Sequence, residues 1–149
     1  MLKKVVLSLS LAASSALFAP AAMADETNPV IVHRQAIYKV ASGHMGGLKS
    51  ILALKDGPKE NLSYHADSLV AAFQHLGKAF PEGSDKGETK AKANIWTDRA
   101  KFDEAGKKAY AAALAMAEAA KTGDQAASLG AFKTLGGTCK ACHDDFKKD

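Results

Sequence analysis

Three breaks divide residues 29–147 into four segments, and each segment carries apolar residues at helical spacing. Asn28-Pro29 opens the first, an N-cap residue followed by proline at the first helical position. Val30, Ile37, Val40, Leu48, Ile51 and Leu52 recur through residues 29–54, and Asp56-Gly57-Pro58 closes the segment. Leu62, Leu69, Phe73 and Leu76 form one stripe of a second helix over residues 59–79. A turn-rich, charged loop follows, with Pro81, Gly83, Ser84, Asp85 and Gly87 in its first half. Thr97 or Asp98 caps a third helix bearing Phe102, Tyr110, Leu114 and Met116, and Gly123 stops it. Asp124 caps a fourth, running to about residue 147. No stretch alternates in the manner of a strand, and aromatics make up only 7% of the 149 residues. Four such helices joined by short links predict an all-α fold, an antiparallel four-helix bundle in up-down-up-down order. Glycines 43, 46 and 47 weaken the first helix by about 1 kcal/mol each relative to alanine, which suggests close approach to another helix or to a flat ligand.

The start of the chain reads as a cleavable secretory signal over residues 1–24. Lys3 and Lys4 precede an uncharged apolar run, and Ala22-Met23-Ala24 has the small-x-small form of a cleavage site. The run is shorter than the ~20 residues a membrane span needs. Cleavage after Ala24 leaves residues 25–149 as one domain. It removes two lysines and no acid, so the formal charge falls from +4 to +2. That balance does not point to nucleic acid as a partner. The expectation is a protein exported to the periplasm, with no membrane span in its mature form.

The chemistry concentrates at Cys139-Lys140-Ala141-Cys142-His143. Phe132, Leu135, Cys139, Cys142 and Phe146 share one face of the last helix. Two thiols three residues apart can each form a thioether to one edge of a porphyrin. His143, four residues after Cys139, can then reach the iron, which makes C-x-x-C-H the attachment signature for c-type haem. A redox disulfide is an alternative, but such a pair opens a helix after a strand. Zinc is another, but a structural site takes four ligands and no second C-x-x-C exists. Chance juxtaposition is the remaining reading. Covalent haem c, one per chain, is the expectation.

The motif lies seven residues from the end, on the last helix of a bundle. In this the chain resembles the class II c-type cytochromes, and within them the cytochrome c′ family. Arg34-Gln35 and Ile95-Trp96-Thr97-Asp98 add to the resemblance. It implies Cys139 and Cys142 as the covalent attachment points and His143 as the axial iron ligand. It also implies Arg34 and Gln35 beside the haem propionates, where a guanidinium pairs well with carboxylates. It puts Tyr38 over the open face of the iron, four residues after Arg34 and on the same side of the helix. Glu88 is the matching residue for the loop along the haem edge. The chain departs from the family's pattern at Gly77, where some members have a bulky aromatic, and at Lys147, often Arg.

The sixth iron position separates a gas-binding protein from a carrier. Low-spin relatives supply a Met near the position of Tyr38. A neutral tyrosine is a poor ligand, because its phenol must first lose a proton with a reference pKa of about 10. Met45 lies seven residues on, about 10 Å along the axis. His33, His44, His65 and His75 read as surface or packing residues. The resemblance therefore implies a pentacoordinate, high-spin haem that binds nitric oxide and carbon monoxide and exchanges electrons with an unidentified partner. A six-coordinate carrier with a Met ligand is the alternative. An enzyme such as a peroxidase is disfavoured, since Tyr38 alone stands where a distal acid–base group is needed. Members of the family are usually homodimers packed through the first two helices.

Overall fold

The computed structural model describes residues 28–149. The proposed signal segment, residues 1–24, lies outside the described residues. Helix α1 spans Pro29–Lys49 and runs on as a π-helical turn over Ser50–Leu54. A 3-10 turn at Lys59–Asn61 leads into α2, Leu62–Gln74, and another at Leu76–Ala79 leads out of it. A short α3, Asn94–Thr97, interrupts the long loop ahead of α4, Arg99–Lys121, and α5, Gln125–Phe146. The four long helices are those expected from the periodicity. The short α3 is an addition to it, four residues at the junction between the long loop and the cap of α4.

The breaks act as their side chains dictate. The Asn28 side chain accepts from the backbone N–H of Val30 at 3.0 Å, which satisfies a donor that the helix itself leaves unpaired. Asp98, not Thr97, caps α4 by accepting from Lys101 N–H at 3.4 Å. Gly123 turns the chain out of α4 at φ +73°, a backbone angle costly to any residue with a Cβ. Asp124 then accepts from Ala126 and Ala127 N–H at 2.8 and 3.1 Å. The first helix ends with Lys55 in the left-handed region, just before the expected Asp56-Gly57-Pro58.

Among the described residues two clusters make up the core. The larger joins α1, its π turn, α2, α4 and α5 through Leu48, Ile51, Leu69, Met116 and Leu135. The α4 surface in this cluster is mostly alanine, at 112, 113, 117 and 120. Leu114, expected inside, is 41% exposed, and Val40 is 53% exposed. The buried line of α1 instead runs through Ile31, Arg34, Ala41 and Leu48. The smaller cluster is aromatic. Phe80, Phe102 and Phe146 stack edge to face, with centroids 4.8 and 5.3 Å apart. It sits where the loop, α4 and the end of α5 meet. There Lys92 N–H donates to Phe146 C=O at 2.9 Å, and Ala91 pairs with Lys147 as an isolated β-bridge.

Candidate haem site

The last two turns of α5 carry Cys139, Cys142 and His143. They line a cavity of about 1060 Å³ between the helices, together with Tyr38 and Met45 of α1 and Phe73 of α2. This is at the upper end of ordinary ligand cavities, roughly 300–1,000 Å³. Gly77, Gly106 and Gly136 line it too, and an added Cβ at any of them would meet nothing within 4 Å. The absence of a bulky residue at Gly77 thus leaves open space in the wall. A wide apolar slot that ends on two thiols and an imidazole fits a flat, apolar, iron-bearing group in both shape and donors.

Local electrostatics discriminate among the chemistries open to this motif. No disulfide joins Cys139 and Cys142. Burial raises the pKa of Cys139, and burial and then the neighbouring Cys139 raise that of Cys142. Redox-active pairs work by the opposite shift, at helix N-termini where the dipole favours thiolate. These two lie at the C-terminal end of α5. Among the described residues no group of three or more His, Cys, Asp and Glu could hold a metal ion. Burial, and then Lys147, lower the pKa of His143. The imidazole is thereby kept neutral at pH 7, the form that ligates iron.

Tyr38 is partly buried, its ring edge-on to Phe80 at 6.4 Å. Burial, and then the charge of Cys142, raise its pKa well above the ordinary 10.0. The phenol therefore stays protonated at any physiological pH. Met45 lines the same cavity but also packs against the larger core cluster.

Arg34, Gln35 and Glu88 are brought together but do not line the cavity. Arg34 is 3% exposed. Its guanidinium donates to Ala79 C=O at 3.4 Å, to the Ser84 hydroxyl and carbonyl at 3.1 and 3.0 Å, and to Thr89 Oγ1 at 3.0 Å. It also lies 4.7 Å from the Phe80 ring centroid and 5.9 Å from that of Trp96. Gln35 donates to the backbone carbonyl of Glu88 at 2.9 Å, while the Glu88 residue is exposed. The pair thus fastens loop 79–89 to α1, one helical turn from Tyr38. Ser84 and Thr89 were not expected here, because nothing in the local pattern marks a turn serine as the acceptor for an arginine fifty residues away.

An all-α bundle with C-x-x-C-H on its last helix, facing an internal cavity, defines a class of protein, the helical-bundle c-type cytochromes. The family model described as Cytochrome C' matches residues 29–147. Cytochrome c' of Rhodospirillum rubrum is 37% identical over 129 residues, covering 86% of this chain and 88% of that protein. The structure of cytochrome c prime from Shewanella frigidimarina superposes with a TM-score of 0.77 at 37% identity, over 81% of this chain and 95% of that one. A ferrous Arg-to-Lys variant of cytochrome c prime from Alcaligenes xylosoxidans with bound NO superposes at 0.75 and 25% identity, over 80% and 94%. The chain belongs to the cytochrome c′ family.

Proposed function

We propose that the protein is an exported, periplasmic haem protein that binds nitric oxide and carbon monoxide and passes single electrons, and that it is not an enzyme. Cys139 and Cys142 would hold one haem c through thioethers, and His143 would ligate its iron. Bound there, the haem supplies an iron with one open position for a diatomic gas and a one-electron couple. The chain's own residues do the rest. His143 presents a neutral imidazole. Tyr38 offers bulk without a ligand, because its phenol does not ionise. The apolar walls disfavour water and other small polar ligands. Arg34 and Gln35 hold loop 79–89 against α1 and would lie nearest the propionates, with Glu88 beside them.

The observation that carries this reading is the convergence of Tyr38, Cys139, Cys142 and His143 on one cavity large enough for haem. The NO-bound relative supports the choice of ligand. No helix among the described residues is long and apolar enough to cross a membrane. Val32, Val40 and Tyr64, exposed on α1 and α2, support a homodimer through those helices. A six-coordinate carrier would need Met45 as ligand. Its place on the cavity wall favours that second reading, and its packing against the core disfavours it.

An electronic spectrum of the purified protein decides. High-spin bands are expected in both oxidation states, and a low-spin spectrum with a Met–iron band would establish the carrier. Haem should remain on the chain after acid–acetone extraction. Cys139→Ala with Cys142→Ala should render it extractable or absent. His143→Ala should alter the iron's spectrum more than His33→Ala does, and the reverse order would overturn the ligand assignment.

A further inference from the structure

Away from the cavity, α1 and α2 bring two imidazoles into direct contact. His44 Nδ1 and His65 Nδ1 lie 3.0 Å apart, with ring centroids 5.3 Å apart. The His65 ring sits on the backbone of Gly47, one turn beyond His44. A Cβ at Gly47 would come within 2.5 Å of His65 Cε1 and Nε2 and 2.7 Å of Nδ1. Of the three glycines in that stretch of α1, only Gly47 makes a close approach. Gly43 and Gly46 have nothing within 4 Å. The helix thus carries a glycine at the point where the second imidazole must lie flat to reach the first. The Tyr64 ring flanks both, 5.4 Å from His44 and 5.2 Å from His65.

We propose that His44 and His65 form a two-imidazole chelate for a divalent transition cation of the Zn²⁺/Cu²⁺ class, bridging α1 and α2, with Gly47 as its positioning residue. Zinc–imidazole bonds are about 2.0–2.1 Å, so two nitrogens 3.0 Å apart subtend roughly 90° at a shared cation. That is a cis arrangement, which square-planar copper accepts as it stands and tetrahedral zinc accepts after a small opening. Imidazole suits both metals. In the metal-free pair one ring donates its Nδ1 proton to the other. On binding, that ring keeps its proton at Nε2 instead, so both Nδ1 lone pairs face the cation and no net proton is lost between neutral rings. Rotation about the broad χ2 torsions turns the lone pairs from each other toward the metal. Among the described residues no third His, Cys, Asp or Glu joins the pair, so water completes the coordination and one face stays open.

The test is calorimetric titration of the haem-loaded protein with ZnCl₂, and in a second series CuCl₂, at pH 7.5. One cation per chain is expected, with two nitrogen couplings in the EPR spectrum of the copper form. His44→Ala and His65→Ala should each weaken binding more than about tenfold. Gly47→Ala, which keeps both ligands but displaces the His65 ring, should weaken it by about tenfold, as loss of a supporting contact does. His33→Ala and His75→Ala should change nothing. Helicity by circular dichroism and an unaltered haem spectrum establish that each variant is folded. No binding to the parent protein, or equal binding by the folded His44→Ala/His65→Ala double variant, would overturn the proposal.

Discussion

If the proposed function holds, Tyr38 guards the gas site by size, and among the described residues its ring meets one aromatic ring, that of Phe80, edge-on at 6.4 Å. On that proposal an incoming ligand would have to move the ring off Phe80. Aromatic pairs of this kind contribute about 0.5–1.5 kcal/mol, which is two- to about tenfold in affinity. Tyr38→Ala should raise carbon monoxide affinity by that factor and speed association, as measured by stopped-flow mixing. Tyr38→Phe should behave like the parent, since the argument uses the ring and not the hydroxyl. The raised pKa adds a pH dependence. The folded phenol stays protonated above pH 10.0, where the unfolded one ionises. The stability contributed by this ring is therefore complete below about pH 10 and falls as the pH rises beyond it. Tyr38→Phe should flatten that alkaline limb in urea melts. Arg34 is the costlier residue to lose. Arg34→Ala would strand the acceptors of loop 79–89 and is expected to destabilise the haem-loaded protein by about 2–4 kcal/mol in urea denaturation. Arg34→Lys should recover only part of this, because a single ammonium cannot reach acceptors spread along the loop as a planar fork does.

Among the elements, capping gives the cleanest prediction. Asp124→Ala removes the acceptor for two N–H groups of α5 and should cost about 1 kcal/mol of unfolding free energy, with Asp124→Ser restoring most of it. The caps and stops were legible in the sequence, since Asn28, Gly123 and Asp124 act through their own backbone and need no distant partner. The buried face of α1 was not. Its line passes through Ile31, Arg34, Tyr38, Ala41, Met45 and Leu48, and an arginine and a tyrosine on it break the apolar pattern. A reading by hydrophobicity moves to Val40 instead, one position off. On α4 the contact with α2 and α5 is made mostly by alanines around Met116, so the larger Leu114 draws the reading to the wrong side. That the thiols and imidazole of α5 would come together was legible, because spacings of three and four residues put them on one side of a helix. Ser84 and Thr89 were not, because their role exists only once the loop folds back on Arg34.

At the scale of the whole molecule, the bundle is built around a space as much as around a core. The larger cluster holds one part of it, the aromatic cluster holds another, and the cavity of about 1060 Å³ lies between the helices that carry both. Filling that space from the wall should separate folding from haem uptake. Gly106→Leu gains up to about 0.8 kcal/mol of helix propensity in α4, yet it puts a branched side chain on the cavity wall. The variant should be at least as helical as the parent by circular dichroism and carry less haem per chain by pyridine haemochrome assay. The Arg34 clamp has a further consequence, one of timing. Four hydrogen bonds from one side chain reach loop residues 79, 84 and 89, so those positions cannot open one at a time. The loop and the first turns of α1 become a single opening unit. In hydrogen exchange, amides at both ends of this loop should lose protection at one shared rate, set by how often one arginine lets go.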